Sequence, residues 1–78
     1  MRLLIFGANG LLGNTLIRYF ICKNNFQTFG VVRDFSKILL FKKKLHKKIY
    51  VIENILDLMS IEKIIKLTKP DVVINCLG

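Results

Sequence analysis

Cysteine and long apolar runs are both scarce in this 78-residue sequence. No uninterrupted apolar stretch approaches the ~18 residues that a membrane-spanning helix needs. Asn9 and Asn14 interrupt the apolar start, and no small-x-small cleavage site follows, which excludes a secretory signal peptide. Cys22 and Cys76 lack the spacing of a metal site, and nothing supports a disulfide between them. We therefore expect a cytoplasmic protein with no membrane partner and no metal site.

Acidic residues are also scarce. Five Asp and Glu stand against thirteen Lys and Arg, which gives a net charge of +8. Six of the cations lie between Lys37 and Lys48, where they form either a patch for a nucleic acid or anionic membrane, or a solvated surface. No aromatic platform and no known nucleic-acid motif accompanies them in the sequence. We therefore expect a solvated segment and no nucleic-acid partner.

The stretch from Met1 to Arg18 carries the strongest pattern in the chain. Residues 2–6 form a mostly apolar run of strand length, and Gly7, Gly10 and Gly13 follow at three-residue intervals before a helical pattern begins. Strand, glycine turn and helix in this order are typical of the opening of a dinucleotide-binding βαβ unit. The spacing is G-x-x-G-x-x-G, whereas ordinary dehydrogenases have G-x-G-x-x-G. A plain glycine-rich turn is the alternative.

A helix is predicted over residues 11–23, because apolar side chains recur there at intervals of three and four. With Gly13, its predicted buried face consists of Leu12, Leu16, Ile17, Phe20 and Ile21. Arg18 and Lys23 should point to solvent, and Cys22 should be a small buried residue on the inner side. Asn24 and Asn25 are expected to end the helix, since Asn tolerates the left-handed conformation.

The rest of the chain continues the alternation of strands and helices. Further strands are predicted over 26–33, 49–52 and 71–76, where aromatic and β-branched residues are dense. A second helix is predicted from about Ser36 to Leu45. A third should begin at its cap Asp57, end at Pro70 and bury one face, formed by Leu58, Ile61, Ile64, Ile65 and Thr68.

This pattern predicts an α/β fold, one half of a Rossmann-type doubly wound parallel sheet. Right-handed crossovers then give the strand order 3-2-1-4. The composition fits strands that are buried on both faces, since 53% of the residues are hydrophobic and the mean hydropathy is +0.46. We expect residues 1–78 to be the N-terminal part of an NAD(P)-binding domain, with no second domain present.

Four segments together resemble one known group of enzymes. They are GANGLLG after the first strand, Arg33 at the end of the second, ENILD after the third, and PDVVINCLG at the fourth. In this order they are similar to extended and atypical short-chain dehydrogenase/reductases. They most resemble dTDP-4-dehydrorhamnose reductases and related nucleotide-sugar reductases. Epimerases and dehydratases of the same superfamily more often carry Phe where Leu11 stands.

The resemblance implies a role for particular residues. Those around the cofactor's pyrophosphate would be Gly7, Asn9, Gly10, Leu11, Leu12 and Gly13. Asn54 stands where the family has an acidic residue that contacts the adenine amine, and Ile55 would pack beside the adenine ring. The end of the fourth strand would line the ribose and nicotinamide, with Asn75, Cys76, Leu77 and Gly78.

Arg33 bears on the choice between NADP and NAD. It stands twenty residues after Gly13, where an acidic residue would bind the ribose of NAD or an arginine would meet the 2′-phosphate of NADP. The planar guanidinium suits a phosphate, which favours NADP, with NAD as the alternative. Asp34 follows directly, and it either contacts the ribose or caps the next helix.

The resemblance also implies that the catalytic residues are absent. The family uses a Tyr-x-x-x-Lys pair well beyond the fourth strand, whereas the only such pair in this sequence, Tyr19 and Lys23, falls in the first helix. We expect a cofactor-binding half that is inactive alone, whose nucleotide-sugar substrate binds only in a longer chain. The alternatives are a fragment of an NAD-dependent epimerase or dehydratase, a dinucleotide-binding module without chemistry, or a basic interaction protein. The uncovered edge of the last strand is expected to promote self-association.

Overall fold

A computed structural model describes residues 1–77. It contains four strands, β1 (Arg2–Phe6), β2 (Gln27–Val32), β3 (Ile49–Val51) and β4 (Val72–Asn75), and two α-helices, α1 (Leu11–Ile21) and α2 (Leu58–Thr68). All four strands are parallel and lie in the order β3-β2-β1-β4. The parallel pairing and the strand order confirm the predicted sheet. Each connection between strands contains an α-helix or 3-10 helices.

The sheet is covered on both faces, as continuous apolar strands require. On one face Ile5 and Val32 pack against α1 through Ile17. On the other face Leu4 and Val31 belong to a cluster that includes Ile64 of α2. Neighbouring residues of one strand thus pack on opposite faces of the sheet, as the alternation of side chains along a β-strand requires.

The predicted helix from about Ser36 to Leu45 is wrong. The segment forms two 3-10 helices, Phe35–Leu40 and Lys43–Lys48, separated where Phe41 adopts an extended backbone. Ile38 of the first 3-10 helix and Phe41, directly after it, are both buried in the core cluster that also contains Ile17, and this packing replaces a continuous α-helix. Nε2 of His46 lies 2.9 Å from the carbonyl oxygen of Phe41 and ties the two short helices together.

Details of α1 also differ from the prediction. Leu12 is 62% exposed, because it lies in the first turn, before the helix reaches the sheet at Gly13 and Ile17. Cys22 is exposed, not buried as predicted. It is the C-cap of α1 and has a right-handed backbone, so the helix ends before Asn24 and Asn25, and neither asparagine adopts the predicted left-handed conformation.

The predicted boundaries of α2 are confirmed at both ends. Asp57 caps its start, and Lys69, just before Pro70, has a left-handed backbone with φ of 46°. Its buried face is narrower than predicted, since Leu58 is 76% and Ile65 40% exposed while Ile64 and Thr68 are buried. None of the helices in residues 1–77 has the length and apolar character needed to span a lipid bilayer.

Candidate functional site

A cleft of about 520 Å³ lies at the carboxyl ends of the strands. Strands β2 and β3 lie on one side of β1 and β4 lies on the other, so the strand order reverses at β1, beside this cleft. In open α/β sheets, ligands bind at such a switch point. The cleft is lined by residues at the end of a strand or shortly after it: Phe6, Gly7, Asn9, Gly10, Val31, Val32, Arg33, Ile52, Glu53, Asn54, Ile55, Leu56, Cys76 and Leu77.

Gly7 turns the chain sharply out of β1. Its φ of 76° is a conformation that side chains with a Cβ rarely adopt. A Cβ at this position would also lie 2.8 Å from the carbonyl oxygen of Cys76. The turn is fixed to β2, because the backbone N–H groups of Gly7 and Ala8 both donate to the carbonyl oxygen of Val31 at 3.1 Å. The glycine therefore lets three strand ends meet at one place.

Gly13 brings the start of α1 against this turn. A Cβ on Gly13 would lie 2.1 Å from the carbonyl oxygen of Gly7, a distance that no side chain can occupy. A Cβ on Gly10, in contrast, would meet only that same oxygen at 3.4 Å, an ordinary contact, and otherwise open space. The absence of a side chain at Gly10 leaves room for a ligand to reach the backbone.

The first turn of α1 presents unpaired backbone donors. The first intrahelical bond runs from Asn14 N–H to the carbonyl oxygen of Gly10 at 2.8 Å. Within residues 1–77, the N–H groups of Leu11, Leu12 and Gly13 donate to no backbone or side-chain acceptor. No side chain caps the helix and no acidic residue lies in its first turn. The positive end of the helix dipole is thus available to an anion.

Arg33 and Asp34, adjacent at the end of β2, have different surroundings. Arg33 is exposed and lines the cleft, whereas Asp34 does not line it. The Asp34 carboxylate accepts a hydrogen bond from the backbone N–H of Ser36 at 3.0 Å and caps the first 3-10 helix. That bond, with help from the Ser36 side chain, lowers the pKa of Asp34 below its ordinary value. Of the two roles open to Asp34, ribose contact and capping, the structure shows capping.

The segment after β3 places Glu53, Asn54, Ile55 and Leu56 in the cleft. Oδ1 of Asn54 already accepts a hydrogen bond from the backbone N–H of Leu56 at 3.0 Å. The carboxylate of Glu53 is exposed on the same wall, and no hydrogen bond or salt bridge engages it among the described residues. Sequence reasoning missed Glu53, although an acidic residue directly after a strand of the sheet was the available signal.

The end of β4 forms the remaining wall. The backbone N–H of Cys76 donates to the carbonyl oxygen of Phe6 at 2.9 Å, which holds Cys76 and Leu77 beside the glycine turn. Oδ1 of Asn75 accepts from the N–H of Leu77 at 2.9 Å and stabilises this end of the chain. Asn75 does not itself line the cleft.

The sequence matches the family described as RmlD substrate binding domain over residues 1–77. The chain belongs to this family. It is thereby a dTDP-4-dehydrorhamnose reductase-like chain, and reductases of the RmlD family generally use NAD(P)H. Searches of curated proteins and of solved structures returned no significant match.

The site residues that the RmlD resemblance implied fall into two groups in the structure. Those that the cleft brings together are Gly7, Asn9, Gly10, Arg33, Asn54, Ile55, Cys76 and Leu77. Leu11 is 92% exposed, Leu12 is also exposed, and neither residue lines the cleft. Gly13 is buried beneath the turn, and Gly78 lies outside the described residues.

The lining residues that the sequence reasoning did not include are Phe6, Val31, Val32, Ile52, Glu53 and Leu56. Most are apolar residues at the ends of strands, whose pattern predicts burial in a core. The pattern does not show which of them stand at the last position before the chain leaves the sheet.

The Tyr19 and Lys23 pair lies away from the cleft. Nζ of Lys23 lies 4.6 Å above the ring of Tyr19, and both side chains are exposed. Tyr19 follows Leu11 by about eight residues of helix, which corresponds to about 12 Å along the axis. Among residues 1–77, neither a tyrosine nor a lysine lines the cleft.

The lysine-rich segment, residues 42–48, also lies outside the cleft. One of its members has an aromatic neighbour that the sequence did not predict, since Nζ of Lys48 lies 5.5 Å from the ring centre of Phe29. The guanidinium of Arg2 lies 5.2 Å from the same ring. Phe29 is therefore already in contact with cations of its own chain.

Proposed function

We propose that the cleft binds NADP, and that this RmlD-family chain is the dinucleotide-binding part of a nucleotide-sugar reductase resembling dTDP-4-dehydrorhamnose reductase. The observation that carries the proposal is the meeting of two anion-binding features at one edge of the sheet. Gly10, which directly precedes the unpaired N–H groups of α1, lines the cleft, and Arg33 lines it after β2. NADP has phosphates in two places, a pyrophosphate and a ribose 2′-phosphate.

The residues present suit such a ligand. Gly10 leaves room beside the N-terminus of α1, where a pyrophosphate would accept from the free N–H groups of Leu11, Leu12 and Gly13. Arg33 can donate two parallel hydrogen bonds to a 2′-phosphate. Ile55 and Leu56 supply apolar surface for an adenine ring.

The nicotinamide, when bound, supplies the hydride of the reduction. This chain's own part is to bind and orient the cofactor. No proton transfer is assigned to it, because the described residues place no Tyr-Lys pair in the cleft. The second candidate is a dinucleotide-binding module without chemistry of its own. The features that suit an anion, the unpaired N–H groups of α1 and Arg33, favour this function equally.

The first prediction concerns the choice of cofactor. A charge-assisted bond between Arg33 and the 2′-phosphate contributes about 1.5–3 kcal/mol, which corresponds to a roughly tenfold to hundredfold preference for NADP over NAD. Arg33→Ala should remove this preference by weakening NADP and leaving NAD nearly unchanged. The measurement is the titration of the 78-residue chain with NADPH and with NADH, followed by the fluorescence of the reduced nicotinamide.

Arg18→Ala is the matched control, because Arg18 is an exposed arginine on α1 that does not line the cleft. It should change neither affinity. Equal affinities for both cofactors in the wild type would contradict the assignment of Arg33. So would an Asp34→Ala variant that weakens NADH binding alone, since this would give the carboxylate a ribose contact in place of its cap.

A further inference from the structure

Three large apolar side chains are exposed on the first 3-10 helix. Phe35 is 69%, Leu39 68% and Leu40 58% exposed, although the helix has only six residues. Single exposed apolar residues are normal on a protein surface, but three of this size within one short helix form a patch. Ile38 is buried in the core, and at three residues per turn Leu39 and Leu40 project away from it. We call Phe35, Leu39 and Leu40 the apolar patch.

The chain that follows the apolar patch carries only positive charge. Residues 35–52 contain no Asp or Glu. Four lysines that follow Leu40 within seven residues are exposed: Lys42, Lys43, Lys44 and Lys47. The second 3-10 helix, which carries three of them, is held against the end of the first, because Nε2 of His46 lies 2.9 Å from the carbonyl oxygen of Phe41. The lysines therefore lie beside the apolar patch.

The position of this surface in the fold separates it from the cleft and from β4. The segment joins β2 to β3, and β3 forms the edge of the sheet opposite to β4. A strand that follows β4 in a longer chain pairs on the β4 side of the sheet, so it would not cover the apolar patch. No residue of the apolar patch lines the cleft.

Charge and apolar character together decide which partner fits. The lysines alone would form the solvated segment that the sequence predicts. Exposed Leu and Phe side chains beside lysines suit a membrane surface, where anionic headgroups lie directly above hydrocarbon. A nucleic acid would also attract the lysines, but its bases stack on aromatic rings, and it offers no hydrocarbon to two leucines.

We propose that residues 35–48 bind the surface of an anionic lipid membrane. The lysines contact the lipid phosphates, and the apolar patch enters the boundary between the headgroups and the acyl chains. This binding is independent of the proposed cofactor, because the cleft is lined by other residues.

The test measures co-sedimentation of the full 78-residue chain with two kinds of vesicle, phosphatidylcholine alone and an equal mixture of phosphatidylcholine and phosphatidylglycerol. The wild type should bind the anionic vesicles, dissociate from them as salt is added, and fail to bind the neutral ones. Leu39→Ser combined with Leu40→Ser should weaken binding to the anionic vesicles by roughly tenfold or more, because each buried leucine adds to the affinity.

Leu58→Ser combined with Met59→Ser is the matched control. These residues are 76% and 82% exposed at the start of α2, but they lie between Asp57 and Glu62 in the sequence and not in a lysine-rich segment. This pair of substitutions should leave vesicle binding unchanged. Equal losses in the two double variants would overturn the proposal, and so would wild-type binding that is the same on neutral and anionic vesicles.

A second measurement does not depend on the folding of the double variant. The sequence contains no tryptophan, so Leu40→Trp introduces a single fluorescent reporter. Its emission should shift to shorter wavelength on anionic vesicles, whereas that of Leu58→Trp should stay constant. Absence of a shift for Leu40→Trp would overturn the proposal. Tighter binding to a single-stranded RNA than to anionic vesicles, unaffected by loss of the two leucines, would also overturn it, since the lysines would then bind a nucleic acid.

Discussion

The three glycines after β1 have three different structural roles. Gly7 adopts a left-handed turn, Gly13 lets the helix contact that turn, and Gly10 leaves space above it. Only the third is a matter of ligand binding. The first two are requirements of the fold, because a Cβ at either position would collide with backbone atoms that cannot move away.

Substitution by alanine should distinguish the role in folding from the role in ligand binding. In an ordinary helix interior Gly→Ala stabilises by roughly 0.5–1 kcal/mol, but Gly13→Ala should destabilise by about 1–3 kcal/mol because its Cβ has no space. Gly10→Ala should keep the stability of the wild type and lose affinity for NADPH, since its Cβ stands where the ligand would approach the backbone. Urea denaturation and NADPH titration measure the two effects. A Gly13→Ala variant more stable than the wild type would contradict the close packing of α1 on the Gly7 turn.

At the scale of the elements, α2 depends on a single acidic cap. Asp57 accepts from Ser60 Oγ at 2.9 Å and from the backbone N–H of Met59 at 3.1 Å. The Ser60 side chain, then the Ser60 and Met59 N–H groups, lower the pKa of Asp57 below its ordinary value. Carboxylates at this position stabilise a helix by satisfying its first free donors.

The stabilisation from Asp57 should depend on pH with a defined sign. Since its pKa is lower in the folded than in the unfolded chain, the carboxylate stabilises the fold above the unfolded pKa of about 3.9. This stabilisation is lost as the pH falls through the lower folded pKa. The melting temperature of Asp57→Ala should therefore lie below that of the wild type at pH 7, and the difference should shrink in acid.

Asp57→Asn is the control, because Asn can cap the helix but does not titrate. Its melting temperature should vary less with pH than that of the wild type. Asp34 is also a cap with a lowered pKa, but it is present in all three chains and cancels in the comparison. A difference between the wild type and Asp57→Ala that is the same at pH 7 and in acid would contradict the role of the carboxylate.

The sequence predicts the regular elements better than the segment between β2 and β3. Continuous apolar runs indicate strands that are buried on both faces, and a good cap and a proline bound α2, so local signals suffice there. In the residues from Phe35 to Lys48 the local propensity favours one helix. The structure instead buries Ile38 and Phe41 in the core cluster with Ile5 and Ile17 and breaks the segment at the extended Phe41, and these tertiary contacts are not visible in the local sequence.

For the site, the sequence predicts the residues whose chemistry depends on spacing. Gly7, Gly10 and Arg33 follow from their distance to a strand or to one another. Glu53 directly follows the predicted strand 49–52, which was a signal in the sequence, but only the structure shows that it lines the cleft. Leu11 and Leu12 were assigned as contacts, although their side chains are exposed and only their N–H groups remain available.

At the scale of the whole molecule, the chain has two surfaces that carry donors suited to an anion. One is the cleft, where donors are few and fixed by the turn and the helix. The other is the lysine-rich segment, where cations are many and exposed. We assign the dinucleotide to the first, because a fixed set of backbone donors selects a pyrophosphate, whereas exposed lysines attract any anion and lose it as salt is added.

The most direct test of this assignment is a titration of ¹⁵N-labelled chain with NADP at physiological salt, followed by amide chemical shifts. We expect shifts to concentrate in residues 7–13, at Arg33 and in residues 53–56, while residues 42–48 remain unchanged. Shifts confined to residues 42–48, or none that saturate in the cleft, would show that the cleft is not the dinucleotide site.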